Sequence, residues 1–208
     1  DALTKLPNRL LALDRITLAL ARASRTGHSG AVMYVDLDHF KVVNDSLGHR
    51  AGDELLQIVG ARLPQAVRPD DTVARIGGDE FVLLAAELES HLHAVDIGNR
   101  VVSELGTLPT RVEDGERVTA SVGISISDGG RGSAELLLHE ADTAMYKAKS
   151  RGGGCVEVFD AALGRQLQER SIAQRAVEFA MDEGRTTVHY QPIVDLVVGT
   201  VVGFEALV

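Results

Sequence analysis

The 208-residue sequence has no tryptophan and a single cysteine, and aromatic residues make up only 4% of it. Because one thiol, Cys155, cannot form an intrachain disulfide, a disulfide-stabilised scaffold is excluded and a cytoplasmic location is expected. No apolar stretch reaches the roughly 18 residues that a membrane-spanning helix needs, and no signal peptide is recognisable. The scarcity of aromatic side chains predicts a core of Leu, Val, Ile and Ala.

Basic residues are also in deficit. The chain carries 21 Lys and Arg against 30 Asp and Glu, which gives a formal net charge of -9. This balance argues against the usual basic nucleic-acid-binding protein, so no nucleic-acid partner is expected. It does not exclude a nucleotide substrate, because a divalent cation can offset the charges of carboxylates and phosphates locally.

The hydrophobic pattern predicts a layered α/β domain. Its apolar periods alternate between helical and strand spacing, and a GGDE sequence separates two strand-like runs in the manner of a hairpin turn. This hairpin requires some antiparallel pairing, so a purely parallel sheet is excluded. Helices are predicted near residues 10–20, 40–47, 55–63, 90–105 and 133–149, and strands near 31–35, 72–76, 81–85, 118–126 and 156–159. On the first helix, Leu10, Leu13, Ile16 and Leu20 are expected to share the apolar face, and on the last, Leu136 is expected beside Leu137, Ala141, Ala144 and Met145.

Acidic residues stand at the ends of predicted strands. Asp36 and Asp38 follow a buried-type strand, and Asp79 and Glu80 occupy the hairpin tip. Carboxylates in such places can converge at one edge of a sheet, and hard oxygen ligands suit Mg²⁺ or Mn²⁺, which also bind phosphates. The residues alone leave two interpretations open, a metal-nucleotide site and merely solvated loop carboxylates.

Five segments in chain order resemble the motifs of the GGDEF family of diguanylate cyclases. A lone GGDEF pentapeptide would be weak, whereas five motifs in register over roughly residues 1–160 are specific. The segments are DALTKLPNR at 1–9, DLDHFKVVND at 36–45, GHRAGD at 48–53, GGDEF at 77–81 and ADTAMYKAK at 141–149.

The resemblance implies a fold like those of nucleotide cyclases and polymerase palm domains, with a central, mostly antiparallel sheet flanked by helices. It implies that Asp36, the backbone carbonyl of Leu37 and Asp79 hold divalent metals, Mg²⁺ or Mn²⁺. Glu80 is then either a further metal ligand or the group that helps to deprotonate the 3′-hydroxyl, so Asp79 and Glu80 are the expected catalytic residues.

The same resemblance assigns the substrate contacts. Asn44 and Asp53 are implied to recognise guanine, whose edge presents donors and acceptors that an amide and a carboxylate can satisfy. Lys149 resembles the lysine that reaches the triphosphate of GTP. Other backbone, phosphate or base neighbours are implied at Phe40, Lys41 and His49.

One position departs from the family pattern. The family continues G-R-N after that lysine, whereas this chain has three glycines at 152–154, so the arginine is missing at Gly153. Arg151 could supply the charge from a neighbouring position. If it does not, a lost charge-assisted phosphate contact costs roughly 1.5–3 kcal/mol, or about one to two decades in binding.

A second resemblance concerns control. Arg68 and Asp71, in the sequence RPDD, stand ahead of Gly77 at the register of the family's inhibitory R-x-x-D site. This implies that cyclic di-GMP binds there as an intercalated dimer and causes product feedback inhibition. By itself, an R-x-x-D sequence is usually a surface turn.

The end of the chain resembles the opening of EAL-domain phosphodiesterases, in HYQPIVD at 189–195 and GFEALV at 203–208, where Glu205 matches a metal ligand of complete EAL domains. We therefore expect a GGDEF domain at 1–160, a linker helix at 161–183 and an incomplete EAL piece at 184–208, within a longer parent protein. Because a complete barrel needs roughly 250 residues, no phosphodiesterase activity is expected from this chain.

Three functions remain open. In the first, an active cyclase, two GTP-loaded domains meet as a homodimer and each 3′-hydroxyl attacks the α-phosphate of the other nucleotide. In the second, favoured by the missing arginine at Gly153, the domain binds GTP without turnover and regulates an adjacent EAL domain. The third, another purine-nucleotide cyclase or nucleotidyltransferase, requires base-reading residues other than Asn44 and Asp53.

Overall fold

The structure is a computed structural model that describes residues 1–108, 118–160, 189–195 and 199–207. The chain divides into two compact units, residues 1–164 and 165–208. The expected linker helix at 161–183 lies outside the described residues. Within the described ranges, no helix has both the length and the apolar character that crossing a bilayer requires.

Helices and strands alternate through the first unit much as the hydrophobic pattern predicts. Its helices are α1 (Arg9–Thr26), α2 (Phe40–Leu47), α3 (His49–Arg62), α4 (His91–Gly106) and α5 (Ala134–Ser150). Its strands are β1 (Ser29–Leu37), β2 (Thr72–Gly77), β3 (Glu80–Leu88), β4 (Ala120–Asp128) and β5 (Val156–Val158). Asn8, Ser90 and Ser133 begin α1, α4 and α5 as N-caps, because each side chain accepts a hydrogen bond from a first-turn backbone N–H.

The strands form one sheet in the order β2-β3-β1-β4-β5, with β1 in its centre. β1 runs antiparallel to both β3 and β4, β2 runs antiparallel to β3, and β4 and β5 are parallel. The expected α/β fold, a central and mostly antiparallel sheet flanked by helices, is therefore confirmed.

Alternation along β1 divides the core between two faces. Val32 packs with Ile16 of α1 and Leu137 of α5 on one face, whereas Met33 and Val35 pack with α3 and α4 on the other. Tyr34 and Asp36 share the face of Val32 because side chains two residues apart in a strand point the same way. This alternation directs Asp36 toward α5.

Two leucines assigned to apolar helix faces lie outside them. Leu10 is 77% exposed and Leu136 is 46% exposed, so the expectation that they share the buried face is wrong. At 3.6 residues per turn, Leu136 lies roughly 140° from the centre of the face formed by Leu137, Ala141 and Met145. Leu10 lies roughly 140° from the centre of the buried face of α1, formed by Ala12, Ile16 and Ala23, by the same count.

The described part of the second unit is a two-stranded antiparallel hairpin of β6 (His189–Val194) and β7 (Val201–Leu207). Gln191 pairs with Glu205 in its register. Apolar side chains such as Tyr190 and Phe204 are exposed on it.

Candidate functional site

The antiparallel register brings the predicted carboxylates to one place. Asp36, near the end of β1, is paired with Glu80, at the start of β3. The backbone N–H of Leu37 donates to the carbonyl of Asp79 at 3.4 Å. We call Asp36, Leu37, Asp79 and Glu80 the acidic edge, since they meet where β1 ends and the β2–β3 hairpin turns.

Asp36 is the most buried carboxylate of the acidic edge, with 6% of its surface exposed. Its Oδ1 atom is buried, and its partner is the Lys149 ammonium, which lies 2.5 Å away as an ion-pair contact. Burial raises the pKa of Asp36 to about 6; the Lys149 ammonium lowers it, and the charges of Asp79 and Glu80 raise it. The three carboxylates therefore influence one another electrostatically.

The chemistry of these donors fits a divalent cation. Carboxylates that lie close together repel one another and favour a positive charge beside them, and carboxylate and carbonyl oxygens are the ligands that Mg²⁺ and Mn²⁺ prefer. Among the residues that the structure describes, no three acidic, histidine or cysteine side chains form a ready-made ligand set. Lys149 supplies the positive charge beside Asp36 in this structure.

Tyr34 holds the side chain of Glu80. Its hydroxyl donates to Glu80 Oε2 at 3.1 Å, and burial, together with the Glu80 charge, raises the pKa of Tyr34 above its ordinary value. Tyr34 therefore stays protonated and remains a donor. Sequence reasoning missed this residue, although strand alternation places it on the face of Asp36.

Arg75 links the hairpin tip to the first residue of the chain. Its Nε and Nη2 donate to the carbonyl of Gly78 at 3.0 and 2.8 Å, and its Nη1 donates to Asp1 Oδ1 at 3.1 Å. Asp1 Oδ1 also accepts from the backbone of Thr4 at 2.8 Å, which orders the first turn of the chain. The first motif thus stabilises the hairpin, a role that the sequence did not indicate.

The predicted base-reading residues lie on the consecutive helices α2 and α3. Asn44 is half-buried, and Asp53 is exposed. A Cβ atom at Gly52 would stand 2.1 Å from Asn44 Oδ1, so the backbone of α3 packs closely against this amide. Lys41 and His49 are also exposed, whereas the Phe40 side chain is buried in the core and leaves only its backbone for a ligand.

Asp38 does not join the acidic edge. Its carboxylate accepts hydrogen bonds from Thr119 Oγ1 at 2.7 Å, Ser121 Oγ at 2.7 Å and the backbone N–H of Gly154 at 2.8 Å. The expectation of a simple convergence of strand-end carboxylates is wrong for this residue, because β4 and the turn after α5 supply its partners.

Two cations near the end of α5 are bound to one carboxylate. Arg151 pairs with Glu157 of β5, and Lys147 Nζ lies 2.9 Å from the same carboxylate. The structure therefore does not favour Arg151 as the substitute for the missing arginine.

The R-x-x-D segment forms a surface turn with a pocket beside it. Asp71 Oδ2 accepts from the Arg68 backbone N–H at 3.0 Å, and Arg68 Nη2 lies 2.5 Å from Glu89 Oε1. Arg22, which the sequence did not single out, lies 3.1 Å from Glu87. A pocket of about 330 Å³, here called the Arg68 corner, is lined by Arg22, Arg68, Asp70, Asp71, Ala86 and Glu87.

Comparison with known proteins gives consistent matches. The family model "Diguanylate cyclase, GGDEF domain" matches residues 1–155. The bifunctional diguanylate cyclase/cyclic di-GMP phosphodiesterase MucR of Pseudomonas aeruginosa is 38% identical over 208 residues, which are 100% of this chain and 30% of MucR. The chain spans between 26% and 30% of the length of the first curated relatives it matches.

Two solved structures extend the likeness to the fold. The GGDEF domain of TpbB from P. aeruginosa has a TM-score of 0.73 and 37% identity, covering 81% of this chain and 98% of that one. The coiled coil and GGDEF domain of DgcB from Caulobacter crescentus, in complex with c-di-GMP, has a TM-score of 0.69 and 28% identity, covering 76% of this chain and 84% of that one.

Proposed function

The chain belongs to the GGDEF family of diguanylate cyclase domains. We propose that it condenses two GTP molecules into cyclic di-GMP and releases two pyrophosphates. The observation that supports the proposal is the acidic edge, where the buried Asp36 is paired in register with Glu80 and is influenced by the charges of Asp79 and Glu80. Carboxylates brought together in this way repel one another, which favours binding of a cation between them.

In this proposal, Asp36, the Leu37 carbonyl, Asp79 and Glu80 hold Mg²⁺ or Mn²⁺. When bound, the metal neutralises phosphate charge, makes the attacking hydroxyl more acidic and stabilises the leaving pyrophosphate. Glu80 is either a further ligand or the acceptor of the 3′-hydroxyl proton. The hydrogen bond from Tyr34 favours one orientation of Glu80 in both roles.

Asn44 and Asp53 are the proposed readers of guanine. A carboxylate only accepts hydrogen bonds, so Asp53 can take those of the guanine N1–H and 2-amino groups, while the Asn44 amide can both donate and accept. Close packing of Gly52 against Asn44 supports this role, because it limits the orientations of the amide. Lys41, His49 and the Phe40 backbone are proposed neighbours of the nucleotide.

Lys149 is proposed to bind the triphosphate from the end of α5. Its ammonium already lies beside Asp36, so a short movement reaches phosphates held by a metal at the acidic edge. Because Gly153 replaces the arginine of the family pattern, Lys149 then neutralises a larger share of the negative charge of the triphosphate in this chain.

The reaction requires two copies of the domain. One acidic edge activates one 3′-hydroxyl, whereas the product contains two new bonds between two nucleotides. We therefore propose a homodimer, at least a transient one, in which two GTP-loaded sites face each other.

Product inhibition is proposed at the Arg68 corner. Arg68 can pair with phosphate or guanine, Asp71 can accept from guanine, and Arg22 adds a second cation to the same pocket. The c-di-GMP complex of DgcB shows that a related domain binds this product.

We further propose that residues 184–208 are the beginning of an EAL domain, after the GGDEF domain at 1–160 and a linker at 161–183. The hairpin of β6 and β7 supports this, since its two strands carry both resembling motifs and Glu205. A cytoplasmic location remains part of the same proposal.

A second function, GTP binding that regulates an EAL domain, is favoured by Gly153. The deciding experiment incubates the chain with GTP and Mg²⁺ at several protein concentrations and measures cyclic di-GMP and pyrophosphate by mass spectrometry. An active cyclase gives both products, with a specific rate that rises with protein concentration, and Asp79→Ala abolishes them. Tight GTP binding without either product at any concentration favours the regulator.

A further inference from the structure

We infer that Asp38 is a positioning residue, which fixes the glycine turn after α5 and thereby holds Lys149 at the acidic edge. This inference rests on the proposed function, because it concerns how Lys149 is placed to bind the triphosphate. It gives Asp38 a role distinct from that of Asp36, two residues before it.

The Asp38 carboxylate joins three segments that are distant in sequence. Ser121 belongs to β4, Thr119 directly precedes this strand, and Gly154 belongs to the turn between α5 and β5. The backbone N–H of Asp38 also donates to the carbonyl of Thr119 at 2.9 Å. Removal of this side chain leaves the turn after α5 without its bond to the end of β1.

The same turn ends the helix that carries Lys149. The N–H of Gly152 donates to the Lys149 carbonyl at 3.0 Å, and the N–H of Gly153 donates to the Ala148 carbonyl at 3.2 Å. A displacement of the turn is therefore transmitted to the last residues of α5. Lys149 Nζ contacts Asp36 at the end of β1, so the turn and the lysine side chain are both held by residues at the same end of that strand.

Gly153 is adapted to this contact. A Cβ atom at Gly153 would stand 2.7 to 2.9 Å from the three carboxyl atoms of Asp38, and its φ of +74° disfavours any other residue. Gly152 has a φ of +107° but nothing within 4 Å of a Cβ. The missing arginine is thus replaced by a turn packed on Asp38, and Lys149 is left as the phosphate-binding residue of this segment.

The hydrogen bonds of Asp38 do not require its charge. Oδ2 accepts from Thr119 and Gly154, and Oδ1 accepts from the hydroxyl of Ser121, which can rotate to accept instead. An asparagine can keep all three bonds, with its oxygen toward Gly154 and its amide toward Ser121. A metal ligand or general base could not tolerate this change.

The first test compares Asp38→Asn with Asp38→Ala. We expect Asp38→Asn to keep kcat and KM for GTP within about threefold and Asp38→Ala to raise KM about tenfold with a smaller change in kcat, as for a displaced phosphate ligand. Thermal unfolding of each variant is followed separately, so that a loss of folding is not mistaken for weaker binding. Equal damage by both variants would show that the charge matters and would overturn the inference.

A double-mutant cycle on binding of a non-hydrolysable GTP analogue with Mg²⁺ links Asp38 to Lys149. Lys149→Met alone is expected to weaken binding about ten- to hundredfold. Adding Asp38→Ala to it should weaken binding by less than twofold more, because the second change acts through the first residue. Fully additive effects contradict the inference, whereas no effect of Lys149→Met contradicts the proposed function instead.

Two glycine variants provide a matched pair. Gly152→Ala and Gly153→Ala both place an alanine at positive φ, but only the second meets Asp38. We expect Gly153→Ala to raise KM for GTP at least threefold more than Gly152→Ala. Gly153→Arg, which restores the family residue, should weaken GTP-analogue binding rather than improve it; improved binding would show that the turn yields and that Asp38 does not fix it.

Discussion

The acidic edge and the Arg68 corner both carry opposite charges, but they hold them in different ways. At the acidic edge, Asp36 is buried and one of its oxygens contacts the Lys149 ammonium at 2.5 Å. At the Arg68 corner, the ion pairs of Arg68 with Glu89 and of Arg22 with Glu87 are largely exposed. Exposed pairs contribute little, about 0–1 kcal/mol, so a ligand can replace them at small cost.

The two regions should therefore respond differently to substitution. Asp36 is buried beside the Lys149 ammonium and near the charges of Asp79 and Glu80, whereas the ion pairs of the Arg68 corner are exposed to water. Substitutions at the edge should therefore separate activity from stability, and substitutions at the corner should change regulation while leaving both nearly intact.

The largest effect is expected for Asp36→Asn. Cyclic di-GMP formation should fall at least about a hundredfold, since metal charge stabilisation is worth several kcal/mol. The melting temperature without metal should stay equal or rise, because a buried charge is removed and Lys149, with 37% of its side chain exposed, can turn to water. Mass spectrometry of the product and thermal unfolding measure the two quantities.

The control for Asp36→Asn is Glu54→Gln, which neutralises an exposed carboxylate that pairs with Arg50 on the surface of α3. It should leave both the rate and the melting temperature unchanged. If Asp36→Asn instead lowers the melting temperature by several degrees, Asp36 stabilises the fold and the contrast between the two regions is broken.

A smaller effect is expected on base selection through Asp53. Asp53→Asn should raise KM for GTP about tenfold with kcat less affected, because one acceptor facing guanine donors is lost. ITP lacks the 2-amino group, so the ratio of kcat/KM for GTP over ITP should fall in the variant. An unchanged ratio would remove Asp53 from guanine recognition and leave the nucleotide held by its phosphates alone.

Substitution of Arg75 tests whether the acidic edge depends on the hydrogen bonds from Arg75 to the hairpin tip. Arg75→Lys keeps the charge but cannot bind both Gly78 and Asp1 with the geometry of a guanidinium, so activity should fall about tenfold through loss of roughly 1–2 kcal/mol of hydrogen bonding at the tip. Arg15→Lys, which changes the arginine that binds Thr72 on the same strand, is the matched control. Equal kcat in both variants would mean that the conformation of the hairpin tip does not depend on the hydrogen bonds of Arg75.

The sequence predicted that Asp36, Asp79 and Glu80 stand at a strand end and a hairpin tip, because these positions follow from the local hydrophobic pattern, and their roles in metal binding stay predictions. It could not predict the partners of Asp38, since Thr119 and Gly154 are 81 and 116 residues away in the chain. Support of the tip by Asp1 across 74 residues was missed for the same reason. Such contacts depend on how the sheet is ordered, which the hydrophobic pattern leaves open.

The smallest effect on the basal reaction is expected for Arg68→Ala, which tests the difference between the Arg68 corner and the acidic edge directly. The initial rate should stay within about twofold and the melting temperature should be nearly unchanged, because the pair of Arg68 with Glu89 is exposed. Cyclic di-GMP binding should weaken about ten- to hundredfold through loss of a charged hydrogen-bond donor. Progress curves should then stay linear where those of the unchanged chain slow as product accumulates. Asp70→Asn, on the same turn but outside the R-x-x-D pair, should keep the curvature; curvature retained by Arg68→Ala would mean that product slows the enzyme at the acidic edge itself.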